Sequence, residues 1–481
     1  MNRKQIPPEV LERADVRRAL AEHDLAAAFK LFTKWAGLSQ NALAAATGIT
    51  PGKISLIIRG RQQVTAFAVI CRIADGLRIP GRLLGLADRP WEHQADPALP
   101  PAAADDVTAA PEPTGAWAPS RTADLAADLT RNDLMLDRRA ATRTMAATLT
   151  GAALLDPLEP WLRPAAADAT HRPPGRLGRR DVEHLEQVAI AFRHWNHTHG
   201  GGLQRKAVLG QLNDVSAFLA HHQQTHIAMG LYRVMAQLAS TAASMTLDEG
   251  DEQRGQQYYR LALRAAHAGG DMPFGANVLA AMARQLLYRD QPQDALDLVR
   301  LAQDGARGTA APRVRAMLLT REAWAYAAMG RVGAFERATG QAEQALAQAG
   351  GSDDDPYWIR YFNAAELTGV TGGRRLDLAR TDPRTHAERA ADQIRTAIDQ
   401  RAAEAGRSHV LDRIGLAECH FLTGDLRAAA PATLAAVEVA EQLTSTRVRR
   451  QLTRLYAYTV GRHTSPGLRE ARDRLRVLLA D

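Results

Sequence analysis

A small residue returns at intervals of 40, 40, 42 and 52 through the C-terminal half of the chain, at Ala243, Ala283, Ala323, Ala365 and Ala417. Seven residues after each stands a turn former: Gly250, Asp290, Gly330, Gly372 and Gly424. Nineteen after each comes a second alanine, at Ala262, Ala302, Ala342 and Ala436, with Arg384 interrupting the fourth unit. Two antiparallel helices approach closely only where side chains are small, and glycine allows the tight reversal between them. Such a pair cannot bury its own apolar face, so the pairs must stack, and a run of five predicts an α-solenoid. Ala and Leu are abundant, aromatic residues are only 5% of the chain, and alternating strand-like runs are scarce, so the whole chain is expected to be all-α.

A different pattern occupies residues 38–61, LSQNALAAATGITPGKISLIIRGR. Ser39 can cap a helix with Leu43 and Ala44 on its inner face, and Gly48 supplies a left-handed turn. Ile49 plugs the angle. Thr50 caps a second helix that has Pro51 at its first position. Ile54, Ile57 and Ile58 form the buried stripe of that helix, which Gly60 stops. A short helix held steeply against its partner is the element that fits a DNA major groove.

Charge supports this placement. Residues 1–90 hold 14 Lys/Arg against 7 Asp/Glu, which accounts for the whole net charge of +7. A basic module on a neutral body suits a polyanion, because phosphate attraction supplies most non-specific nucleic-acid affinity. We divide the chain into a head (1–90), a Pro/Ala-rich linker (91–120), a connecting helical segment (121–170) and a repeat region (175–481). Two distant cysteines, Cys71 and Cys419, exclude a disulfide scaffold, and the N-terminus carries no apolar signal core. The apolar run Met145–Leu155 behind Arg138 and Arg139 is too short to span a bilayer and is read as a packing helix. A cytoplasmic protein without membrane contact is expected.

The head residues closely resemble the Cro and phage-repressor family of helix-turn-helix domains, through Ser39, Gln40, Leu43, Ala44, Gly48, Ile49, Ile54, Ser55, Ile58, Arg59 and Gly60. The resemblance implies a five-helix domain with flanking helices at about 24–36, 65–78 and 80–86, and double-stranded DNA as partner. It places Gln40 against the DNA backbone and Pro51, Gly52, Lys53 and Leu56 toward the bases, with the capping Thr50 also among the DNA-binding residues. Proline, glycine and leucine offer no bidentate hydrogen bonds. Direct readout therefore falls to Lys53, Ser55 and apolar contact by Leu56, with Arg59 and Arg61 as phosphate clamps.

The repeats resemble the tetratricopeptide type, although their period is nearer 40 than 34. The resemblance implies a concave groove lined by the first helix of each pair. Gln237, Asn277, Arg284, Trp324, Phe362, Glu366 and Glu418 would stand there, suited to a peptide, small-molecule or protein effector. Together the two parts resemble actinobacterial regulators of development or secondary metabolism, and imply a homodimer. The alternative is an interaction scaffold that holds another regulator, with the head as anchor only. His194, His197, His199, His221, His222 and His226 are read as surface residues and not metal ligands. No phosphate loop, nucleophile elbow or cofactor motif occurs, so neither a cofactor, a catalytic residue nor an enzyme is expected.

Overall fold

The computed structural model describes residues 6–22, 24–62, 64, 67–84, 117–135, 148–164, 177–199, 204–350, 355–401, 406–441, 446–460 and 466–480. Among these no strand occurs, and the chain is all-α as expected, with a helix-turn-helix head and a helical repeat region. Residues 85–116, Arg138, Arg139 and the first residues of the Met145–Leu155 run lie outside the described residues. The last residues expected in the linker are not linker, since Trp117 donates to the Pro157 carbonyl at 3.1 Å and a helix begins at Pro119.

The head contains α1 (Pro8–Leu11), α2 (Ala14–Ala21), α3 (Leu25–Trp35), α4 (Gln40–Thr47), α5 (Pro51–Ile58), α6 (Phe67–Leu77) and α7 (Gly81–Leu84). The last five are the expected helices, and α1 and α2 are additions at the N-terminal side. Val16, Leu20, Phe29, Phe32, Leu43, Ile54, Ile73 and Leu84 close one apolar core that includes no residue beyond the head. Gly76 is required by packing: a Cβ there would overlap the Ala46 carbonyl, so α6 crosses α4 with backbone nearly against backbone.

The rest begins with α8 (Pro119–Met135), α9 (Gly151–Leu155), a 3₁₀ turn (Asp156–Leu162), α10 (Arg179–His199) and α11 (Arg205–Leu219). Six antiparallel pairs follow: α12 (Thr225–Asp248) with α13 (Glu252–Ala268), α14 (Met272–Tyr288) with α15 (Pro292–Gly305), and α16 (Pro312–Ala328) with α17 (Val332–Ala347). The second three are α18 (Ala364–Ala379) with α19 (Pro383–Gln400), α20 (Gly406–Thr423) with α21 (Leu426–Ala440), and α22 (Thr446–Thr459) with α23 (Pro466–Ala480). The first helices of the pairs form an inner layer with α10, and the second helices form an outer layer.

The recurring residues do what their size predicts. Ala243, Ala283, Ala417, Ala262, Ala302, Ala342 and Ala436 are wholly buried. Gly250, Asp290, Gly330 and Gly424 all turn with positive φ between paired helices. Asp251 and Asp425 then cap the following helix by accepting a backbone N–H. The fourth unit corrects the sequence phase. Gly372 lies inside α18, where a Cβ would stand 2.8 Å from Ile394 Cγ1 and 3.0 Å from the Ile394 nitrogen. It is therefore the close-approach residue, and the turn comes later, before the capping Asp382. Nineteen residues past Gly372 is Ala391, which is buried, so the alanine that seemed missing at Arg384 is present once the register is reset.

The shift follows from an insertion. Between α17 and α18 the segment Asp355–Asn363 crosses the inner layer. Tyr357 donates its hydroxyl to Gln237 of α12 (2.9 Å), Trp358 sets its ring edge-on to Phe274 of α14, and Arg193 of α10 donates to the Trp358 carbonyl. Arg313 of α16 closes the segment by donating to Asp355 and to the Phe362 carbonyl, both at 2.6 Å. Ile359 and Phe362 are fully buried.

On the outer side, the stretch 148–163 forms a strap. Gln256 exchanges two hydrogen bonds with the Leu149 backbone, Gly151 donates to Asp294, and His267 bonds the Arg163 carbonyl. Trp161 is fully buried over Gly275 and Gly305, where any Cβ would overlap its indole. Beyond the strap the outer layer carries the head. Helix α6 packs on α15, Arg331 donates to the Arg82 carbonyl at 3.2 Å, and Arg337 stands 3.7 Å from Glu22.

Candidate nucleic-acid interface

The turn between α4 and α5 has the geometry its residues dictate. Ser39 Oγ accepts from the Ala42 N–H at 3.1 Å, and Gly48 closes α4 in the left-handed region at φ 66°. Ile49 is buried in the angle, and Pro51 begins α5. Thr50 holds the cap position with extended backbone, yet its side chain makes no capping bond, contrary to expectation. Proline at the first position already presets the helical φ and removes one orphan donor, so the start of the helix does not depend on a side-chain cap.

Burial separates the two sides of α5. Ile54 and Ile57 point into the head core, while Pro51, Gly52, Lys53 and Leu56 are exposed, Leu56 by 40% of its surface. Ser55 is half-buried between them, and Arg59 and Arg61 follow at the exposed end. Gln40 stands exposed on the first turn of α4. The residues singled out for DNA contact thus gather on and beside one helix, with their polar ends in solvent. Elsewhere in the head, Arg13 and Lys34 lie over the half-exposed Trp35 ring at 3.9 and 4.6 Å, with Arg13 also paired to Asp15.

The inner layer of the repeats differs. Gln237, Asn277, Trp324, Phe362 and Glu418 are all buried, so the expected open groove is not found at these positions. Gln237 is covered by the segment Asp355–Asn363, which lies across the first helices and includes Phe362, while Trp324 and Glu418 are covered by residues of neighbouring helices. Arg284 is half-buried, and its guanidinium hydrogen-bonds Tyr259. Trp324 is sandwiched, with Tyr288 edge-on and Arg374 over its face at 3.9 Å. Glu366 pairs with Arg401 at 2.5 Å, and Glu418 holds Arg380 with both oxygens. These charges are spent on neighbouring helices. No short-range sequence signal marks the segment, because its partners lie up to 165 residues away.

His194, His221, His222 and His226 are exposed, while the side chains of His197 and His199 lie outside the described residues. Among the described residues no group of three potential metal ligands occurs, and no helix is long and apolar enough to cross a membrane. Burial pushes the Cys419 thiol up to about 12; nothing is described of the Cys71 side chain.

Comparison with known families matches residues 24–86 to a helix-turn-helix domain. No curated protein and no solved structure matches the chain. The matched stretch runs from the cap of α3 past the end of α7 and contains the turn just described: the N-terminal part of this chain is a helix-turn-helix domain.

Proposed function

We propose that this protein is a transcriptional regulator that binds double-stranded DNA through α5 and transmits the state of its repeat region to that head. The observation that carries the reading is the sorting of α5: its apolar residues are buried, and Lys53, Leu56, Arg59 and Arg61 are presented together, in a domain that also carries the net positive charge of the chain. Lys53 and Ser55 supply polar contacts to base edges, Leu56 suits a thymine methyl group, and Arg59, Arg61 and Gln40 bind phosphates. With so few bidentate donors, DNA shape contributes much of the sequence preference.

The repeat region serves as the sensing body, of tetratricopeptide-like type, acting in the cytoplasm. Two heads in a homodimer would read two half-sites, and regulators of this build in actinobacteria point to development or secondary metabolism as the regulated process. Mapping bound DNA across the genome with the full chain, and with Lys53→Ala/Arg61→Ala as control, tests the reading. Discrete sites lost in the double variant are expected. An unchanged map would favour the other role, a scaffold for another regulator on which the head is only an anchor.

A further inference from the structure

A cleft of 560 Å³ lies between the head and the repeats, at α15, α16 and α17. Its volume falls within the range of small-molecule sites. From the head, Leu25, Ile57 and Val64 line one wall, and Ile57 sits at the end of α5 itself. Leu318 and Leu319 of α16 line the other.

The charges around it do not balance. Arg300, Arg307, Arg315 and Arg337 line the cleft against Asp24, Asp304 and Glu322. Asp24 is turned to the start of α3, where it accepts the Ala27 N–H. Asp304 is engaged by Arg307, and Glu322 by Arg300 and Gln303. Arg337 is paired with Glu22 at 3.7 Å, while Arg315 is held by the amide oxygen of Gln348 at 3.0 Å and, among the described residues, by no carboxylate. Arg315 is therefore the arginine of the cleft that stands beside its apolar walls without a carboxylate among the described residues, a position that favours an anion.

We propose that this cleft binds a small amphipathic carboxylate, its apolar body between Ile57 and Leu318 and its carboxylate at Arg315. The ligand touches both domains, so it binds the docked arrangement more tightly than any undocked one and holds the end of α5 against the repeats. This consequence for regulation rests on the DNA-binding reading above; the site itself does not.

Calorimetric titration of the full chain with 2-naphthoate and with decanoate tests the site, with 2-naphthamide as the neutral control. Saturable binding of at least one carboxylate at one site per chain is expected, about tenfold tighter than the amide. Arg315→Gln, a change at an exposed residue, should abolish that preference, and Val64→Trp should abolish binding by filling the cleft from the head side. Binding of neither carboxylate overturns the proposal, as does equal binding by the wild type and both variants. Affinity for a non-specific DNA duplex, measured on the same samples, separates the two claims. Carboxylate binding without DNA binding would overturn the regulatory reading and leave the cleft assigned; DNA binding without carboxylate binding would do the reverse.

Discussion

The exposed side of α5 and the inner layer of the repeats are both surfaces where periodic sequence puts polar and aromatic residues, yet only the first is open. On α5 every side chain that turns from the core meets solvent. On the inner layer the same kind of residue meets the chain itself: Gln237 meets the segment Asp355–Asn363, and Trp324 and Glu418 meet neighbouring helices. Periodicity tells which side of a helix faces away from its partner, but not what covers that side. Over Gln237 the cover is an insertion whose contacts to the inner layer are long-range. The open surface is therefore the better candidate for DNA, and the filled one is structural.

The largest expected effect breaks the filled side of this comparison. Phe362→Ala removes a fully buried ring from the covering segment and should lower repeat-region stability by about 3–5 kcal/mol, read by thermal or denaturant unfolding. A near-neutral result would mean that the segment is a loosely held occupant. Next, Gly76→Val forces a side chain into the crossing of α4 and α6, at a cost of about 1–3 kcal/mol or more. Because the head closes its own core, this should abolish DNA binding while the repeat transition in calorimetry stays in place. Loss of both transitions together would show that the head does not fold as a separate unit.

Smaller effects sharpen the open side. Lys53→Ala and Arg61→Ala should each weaken DNA binding by about tenfold without shifting the melting temperature, since both side chains are exposed. The smallest is a pH effect within the repeats. Arg375 hydrogen-bonds Glu336 and holds its carboxyl below the usual range, and burial, with Arg375 nearby, holds the His386 imidazole below its usual value. Both groups bind protons more readily in the unfolded chain, so their contribution is present at neutral pH and is lost as pH falls. The histidine part goes first, from about 6.5 downward, and the carboxylate part below about 4.5. Glu336→Gln with His386→Gln should flatten the acid limb of stability against pH; an unchanged limb would contradict these assignments.

How much of this could be read in the residues follows from the range of the contacts. The turn Gly48–Pro51 was legible because each residue acts on its immediate neighbours: a left-handed glycine, a wedge, a helix-starting proline. The hairpins were legible because Ala243 and Gly250, or Ala417 and Gly424, mark approach and reversal within one unit. The fourth unit was misread because Gly372 looks like a turn residue in sequence while serving as a contact in space. Ala391, nineteen residues on, was the signal that could have corrected it. The cleft at Ile57, Arg315 and Leu318 was not legible, because its walls are brought together by domain docking and not by any spacing along the chain. The strap through Trp161 was hidden for the same reason, since Gly275 and Gly305, on which its indole packs, lie more than a hundred residues further along the chain.

The central claim is that the exposed side of α5 engages DNA, and salt dependence of duplex binding tests it most directly. Fluorescence anisotropy of the full chain on a labelled duplex should give an affinity that falls steeply as salt rises. Each of Lys53→Ala, Arg59→Ala and Arg61→Ala should reduce the slope by about one. An affinity and slope unchanged in all three variants would contradict the account.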